Sequence, residues 1–238
     1  MTRLRSGAVT AAVIVLAVAG CTIQQTEGSS GPAQTGGGGA ALTAAESLTV
    51  KGRAPKTGYS RERFGSAWAD TDSNSCDTRD DILKRDLEEV RFTRGTCKVS
   101  YGLLDPDPYS GKDVTYRRGR SQVDIDHVVA LSDAWQKGAK YWEPSKRIAL
   151  ANDPLNLIAV DASTNRGKGD GDTATWLPPN KAYRCPYVAA QVAVKRKYGL
   201  WVTAAEKAAM EKVLRTCPNQ KLPTGGNPTE APERFSAH

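Results

Sequence analysis

The stretch Val123-Asp124-Ile125-Asp126-His127-Val128-Val129 decides how this chain is read. Val123 and Ile125 alternate with Asp124 and Asp126, the two-residue period of a half-buried strand. Such a strand sets both carboxylates on one face and delivers His127, the one histidine besides His238. An acid beside an imidazole among apolar residues is costly unless its charge finds a partner. Taken alone, a surface carboxylate next to a hydrogen-bonded histidine accounts for the segment. A second segment, Asn152-Asp153-Pro154-Leu155-Asn156-Leu157-Ile158-Ala159-Val160, alters the balance. It starts a strand at Asn156. Asp161-Ala162-Ser163-Thr164-Asn165-Arg166-Gly167-Lys168 then places another asparagine nine residues on, leading into a basic turn.

The flanking sequence predicts a mixed α+β domain. Asp77-Thr78-Arg79-Asp80 has the form of a helix N-cap with an acid in the first turn. Leu83, Leu87 and Val90 continue at helical spacing, so a helix is expected over Thr78–Val90. Val99–Leu104, Val114–Arg117 and Gln122–Ile125 read as short strands, separated by turn chemistry at Asp105-Pro106-Asp107-Pro108 and Ser110-Gly111. Further helices are expected from Leu131 to Lys137, with Gly138 ending it, and over Tyr187–Tyr198, closed by Gly199. A last one starts at the capping box Thr203-Ala204-Ala205-Glu206, with Met210, Val213, Leu214 and Cys217 on one face. Unevenly spaced helices among short strands fit α+β rather than a parallel-sheet repeat. Trp135, Tyr141 and Trp142 stand among Lys137, Lys140, Lys146 and Arg147. Such a mixture can contact unpaired bases, but core packing is the expected role.

The 238 residues carry 33 Lys and Arg against 26 Asp and Glu, a net charge of +7, with 39% hydrophobic and 25% charged residues. That balance fits one domain with flexible extras and makes acidic partners plausible. It excludes a multi-pass membrane protein and a cysteine-dense mini-scaffold. Arg3 and Arg5 precede the uncharged run Ala8–Ala19, the pattern of a secretory signal. Val18-Ala19-Gly20-Cys21 resembles a bacterial lipobox, so residues 1–20 are expected to be a lipoprotein signal peptide and Cys21 the lipidated residue. The protein would then be extracytoplasmic, anchored to the outer face of the cell membrane through that lipid alone, or secreted. Residues 21–57, rich in Gly, Ser, Ala and Thr, are expected to be a flexible linker, and 58–217 the domain. Residues 218–238 are expected to be a disordered, proline-bearing tail. With Cys21 set aside, Cys76, Cys97, Cys185 and Cys217 are an even set for an oxidising compartment. Cys76–Cys97 and Cys185–Cys217 are the expected pairs, each stapling a local segment beside a helix. A zinc site built from all four lacks its usual closely spaced pairs.

Asp-His, then Asn on a strand, then Asn on the following helical turn resembles the signature of HNH endonucleases, which is built on a ββα-metal hairpin. Asn165-Arg166-Gly167-Lys168 carries the likeness most specifically. Over roughly Tyr59 to Cys217 the chain is similar to the HNH subfamily that also supplies the C-terminal nuclease domain of GmrSD-type modification-dependent restriction enzymes. Secreted actinobacterial members share Cys76-Asp77-Thr78-Arg79, Ile125-Asp126-His127-Val128-Val129-Ala130-Leu131 and Asn152-Asp153-Pro154-Leu155-Asn156-Leu157. The resemblance implies a ββα-metal core surrounded by additional helices and short strands, acting as a monomer on nucleic acid, foremost DNA. It implies His127 as general base, Asn156 orienting it, and one divalent metal held by Asp126 and Asn165. It also implies products with a 5′-phosphate and a 3′-hydroxyl. The third position is Asn165 where many HNH enzymes have His.

The implied chemistry suits these residue types. Phosphodiester hydrolysis needs an activated water and neutralisation of charge at phosphorus and at the leaving oxygen. A neutral imidazole accepts a proton near pH 7. Carboxylate and amide oxygens suit Mg²⁺, with Mn²⁺ as substitute, better than zinc. Arg166 and Lys168 are candidate phosphate contacts, and Arg117-Arg118-Gly119-Arg120 a second DNA-facing patch. The chain shows no appended reader motif, which points to low sequence specificity. A metal-dependent cell-wall hydrolase is the enzyme alternative, strained because zinc peptidases take two or more His or His with Cys. An extracytoplasmic binding lipoprotein with a decayed nuclease site is the other, opposed by the intact Asp126, His127, Asn156 and Asn165.

Overall fold

The computed structural model describes residues 40–120 and 122–237. The expected signal segment, Cys21 and the first part of the linker lie outside them. The chain runs α1 (Ala40–Glu46), α2 (Thr78–Asp86), β1 (Glu88–Phe92), β2 (Val99–Leu104), β3 (Val114–Arg117) and β4 (Val123–His127). It continues with α3 (Leu131–Gln136), α4 (Pro144–Ala151), β5 (Leu157–Asp161), α5 (Ala162–Lys168), α6 (Arg184–Tyr198) and α7 (Ala204–Arg215). β1, β2 and β3 form an antiparallel sheet in that order, and β4 pairs with β5, also antiparallel. The architecture is α+β, as expected.

Three apolar cores hold these elements. Leu42, Val188, Val192, Met210 and Leu214 join α1, α6 and α7. Phe64, Trp135, Ile148, Leu150 and Tyr198 form a second, which confirms Trp135 as core. Ile82, Leu83, Val99, Tyr116, Ile125 and Leu157 clamp α2 between the two sheets. Each such side chain contributes on the order of 1.5–3 kcal/mol by leaving water. Gly199 ends α6 in the left-handed conformation at φ +70°, where the absence of a Cβ removes the strain.

Three expectations are corrected here. The helix foreseen over Thr78–Val90 stops at Asp86, and Glu88–Phe92 is a strand paired with β2. Val90 sits at helical spacing, but the hairpin closed through Thr93, Gly95 and Lys98 claims it instead. The expected linker is part of the domain from Ala40 on, because Ala41, Leu42, Ala44 and Ala45 make an apolar face buried by α6 and α7. The tail beyond Pro218 is irregular but laid down on the domain. Ala231 is buried with its N–H on the Ser145 carbonyl at 3.1 Å, and Arg234 donates to Asp70 O and Ser73 Oγ. The expected disulfides are present, Cys76–Cys97 and Cys185–Cys217, with Cα separations of 5.9 and 6.4 Å.

Between α3, α6 and α7 lies a cluster of three cations and three anions, buried except at exposed Arg53. Lys137 Nζ is 2.6 Å from Asp133, 2.8 Å from Asp172 and 2.6 Å from Glu206. Lys195 Nζ reaches Asp133 at 3.1 Å and Glu206 at 3.0 Å, while Arg53 bridges Asp133 at 2.9 Å and Asp172 at 2.6 Å. Burial pushes the Asp133 carboxyl up, but Lys195, Lys137 and Arg53 outweigh it and hold the group at about 2. An unfolded Asp titrates near 3.9. This stabilisation is therefore complete above about pH 4 and is lost as pH falls toward 2. Thermal midpoints measured down that range should fall, and by less in Asp133→Asn. Removing one cation strands buried carboxylates, so Lys137→Met should lower the urea-unfolding free energy by roughly 3–5 kcal/mol. A loss under about 1 kcal/mol would contradict this account.

Candidate active site

β4 and β5 pair in the register Asp124↔Val160, Asp126↔Ile158 and His127↔Leu157. α5 follows β5 without a break, N-capped by Asp161, whose side chain accepts from Thr164 N at 2.7 Å. The strand and the helix meet through two polar contacts. Asn165 Nδ2 donates to Asp124 Oδ2 at 3.3 Å, and Lys168 Nζ donates to Asp126 Oδ1 at 3.0 Å. Residues two apart on one strand face thus meet residues three apart on one helix face, the natural repeat of each element. The long segment between β4 and β5 carries α3 and α4.

Asp126 is buried. Tyr109 donates its hydroxyl to Oδ2 at 2.7 Å, and Lys168 Nζ lies 3.0 Å from that oxygen as well. Burial raises the Asp126 carboxyl above its ordinary range, against the opposing pull of Lys168 and Tyr109. Lys168 also donates to the His127 carbonyl at 2.9 Å and is itself buried. The expectation of Lys168 as a phosphate contact is therefore corrected. Its stem runs inside the protein, and its ammonium neutralises a carboxylate that could not stay buried alone. Arg166 is exposed, on the side of α5 away from that contact.

His127 is buried beneath Trp68, whose ring lies parallel to the imidazole (10°) at a centroid distance of 6.2 Å. Nε2 is 2.8 Å from the Ala151 carbonyl. Burial pushes the imidazole down to about 3, and Arg61 and Lys168 add to the effect. The ring is therefore neutral at neutral pH, with Nε2–H on Ala151 and the lone pair on Nδ1. The expected hydrogen bond from Asn156 to His127 is replaced by this one. Asn156 Oδ1 accepts from Val129 N at 2.9 Å, and Nδ2 donates to Leu150 O at 3.2 Å. Asn156 thus closes the segment between the strands next to Ala151, and acts on His127 one bond removed.

Asp126, His127, Asn165, Tyr59, Arg61 and Asp170 line one cavity of about 210 Å³. Asn165 does not touch Asp126, but it shares this space, and Asp124 fixes its amide so that the carbonyl oxygen points away from Asp124. Among the described residues no three His, Cys, Asp or Glu converge on a metal position. The oxygens present fit a hard, mostly hydrated cation. Asp126 keeps one lone pair, on Oδ1, beyond those taken by Tyr109 and Lys168, and Asn165 adds a neutral oxygen. Sequence reasoning missed Arg61, Trp68 and Tyr109, which reach the site from other parts of the chain with no local signal. In the Arg117–Arg120 patch, Arg118 is spent on structure, donating to Val99 O at 2.7 Å and pairing with Asp80. Lys168→Met should destabilise the fold by roughly 3–5 kcal/mol. Adding Asp126→Asn should recover part of that loss in a double-mutant cycle, and strictly additive losses would refute the pairing.

The family model described as GmrSD restriction endonucleases, C-terminal domain, matches residues 77–213, more than half of the chain and inclusive of both segments of the candidate site. A protein of Arthroderma benhamiae named "Uncharacterized secreted protein" is 43% identical over 172 residues, which cover 71% of this chain and 81% of that protein. No solved structure matches. With a match of that extent spanning the paired strands and the helix that closes on them, the chain belongs to the family of GmrSD restriction endonuclease C-terminal domains.

Proposed function

We propose that the protein is an exported, metal-dependent HNH endonuclease that hydrolyses DNA with low sequence specificity. One observation carries the reading: a strand pair and its following helix put a carboxylate, a neutral imidazole and an amide oxygen around one cavity. Nδ1 of His127 takes the proton from the attacking water, and Ala151 fixes the ring for that task. Asp126 and Asn165 would hold Mg²⁺, with Mn²⁺ as a substitute. When bound, the metal supplies positive charge at phosphorus and at the leaving oxygen. Arg61, at the cavity wall, and exposed Arg166 attract the anionic backbone. An arriving phosphate offsets the cationic field that depresses His127 and so favours its protonation. Cleavage leaves a 5′-phosphate and a 3′-hydroxyl.

Export rests on the signal-like segment of residues 1–20, the two disulfides and the name of the Arthroderma relative, a secreted protein. Lipidation of Cys21 would tether the protein to the membrane face, and the enzyme would act as a monomer. No helix among the described residues is long and apolar enough to cross a membrane. Plasmid DNA treated with the oxidised protein should be nicked with Mg²⁺ or Mn²⁺ and left intact with EDTA. His127→Ala should slow nicking by about 10²-fold or more. A folded, metal-supplied protein that leaves all nucleic acid uncut would overturn the proposal.

A further inference from the structure

A second cavity, of about 390 Å³, adjoins the first and shares Arg61, His127 and Leu131 with it. Phe64, Trp68 and Asn152 supply the rest of the walls that matter here. Phosphodiester hydrolysis makes no use of this space. Its rim is nonetheless held firmly. Phe64 is buried in the second core, and Gly65, at φ +81°, lies so close to Ile148 that a Cβ would meet its Cγ1 at 2.7 Å. Trp68 presents its indole parallel to the imidazole from a backbone at φ +60°.

We propose that this cavity receives one nucleobase, turned out of its stack, from the nucleotide next to the phosphate at His127, so that the enzyme prefers single strands. The proposal rests on the nuclease reading above. Its volume is that of a small-ligand site, mostly apolar with a few polar groups. An indole on one wall gives stacking that every base can use, which agrees with low sequence specificity. Asn152 lines this cavity, its side-chain oxygen Oδ1 is buried without a hydrogen-bond partner among the described residues, and an N–H on the base edge would satisfy it. Arg61 stands where the two cavities meet, at the place of the phosphate that joins base to scissile bond. A paired base reaches the cavity only after extrusion from the duplex, at a cost of a few kcal/mol.

The test uses the oxidised full chain with Mg²⁺ on one labelled oligonucleotide, offered as single strand, as duplex, and as single strands with one abasic position scanned along them. The single strand should be cut roughly 10-fold or more faster than the duplex. One abasic position beside a given bond should slow its cleavage by about 10-fold. Trp68→Leu should slow the intact strand as much, add nothing on the abasic strand, and be rescued by Trp68→Phe. The abasic scan uses the unaltered protein, so it decides even if Trp68→Leu fails to fold. Equal rates on single strand and duplex with no abasic effect would overturn the proposal and leave the nuclease reading intact. Binding is read separately, from the fluorescence of 2-aminopurine placed in the strand. A Trp68-dependent quench without any cleavage would keep the base site and sink the nuclease reading. Neither quench nor cleavage would remove both.

Discussion

The cluster of Arg53, Asp133, Lys137, Asp172, Lys195 and Glu206 is the constraint on which the rest of the structure depends. Its members come from before α2, from α3, from just past α5, and from α6 and α7. Three carboxylates and two ammonium groups are taken out of water together, with exposed Arg53 closing the edge, so their burial is tolerable only in one arrangement. Such networks are weak as net stabilisers, since apolar residues of equal volume can do as well, but any missing partner is heavily penalised. Asp133 lies six residues after His127, and Asp172 four residues after Lys168. The cluster therefore clamps the chain where it leaves β4 and where it leaves α5, the two exits that frame the site.

Within that frame the site is ordered by a relay of buried polar contacts. Asn156 fixes Val129 and Leu150, the neighbourhood of Leu150 includes Ala151, and Ala151 holds the imidazole. On the other side, Lys168 grips both the Asp126 carboxylate and the His127 carbonyl. An imidazole and a carboxylate next to each other in sequence are thereby given different electrical states. Burial makes the first electrically neutral, while a dedicated ammonium keeps the second compatible with the interior. The same burial that depresses His127 leaves it in the state able to accept a proton.

The parts of this arrangement written in short range were legible in the sequence. The alternation Val123–His127, the strand after Asn156 and the N-cap at Thr203 read directly from neighbouring residues. The roles of Lys168 and Asn156 did not. Lys168 looks like a solvated helix end until its partner, 42 positions away, is brought to it. Asn156 looks like the direct orienter of His127 until the backbone of Val129 and Leu150 takes both ends of its amide. Val90 fits the helical spacing of Leu83 and Leu87, and only pairing with β2 reveals it as strand. α1 was hidden by composition, because alanine-rich sequence resembles linker until α6 and α7 supply the surface that buries it. Arg61 and Trp68 left no mark at all, since a residue's closeness to a site formed by distant segments has no local pattern.

The central claim is that this site hydrolyses a phosphodiester with water activated at His127. End-group analysis of the products of a single turnover, on a labelled DNA strand, addresses it most directly. The expected result is a 5′-phosphate and a 3′-hydroxyl at every cut, with cutting slowed about 10²-fold or more in His127→Ala protein that unfolds at the wild-type temperature. Products bearing a 3′-phosphate, or undiminished cutting by the folded variant, would contradict the account.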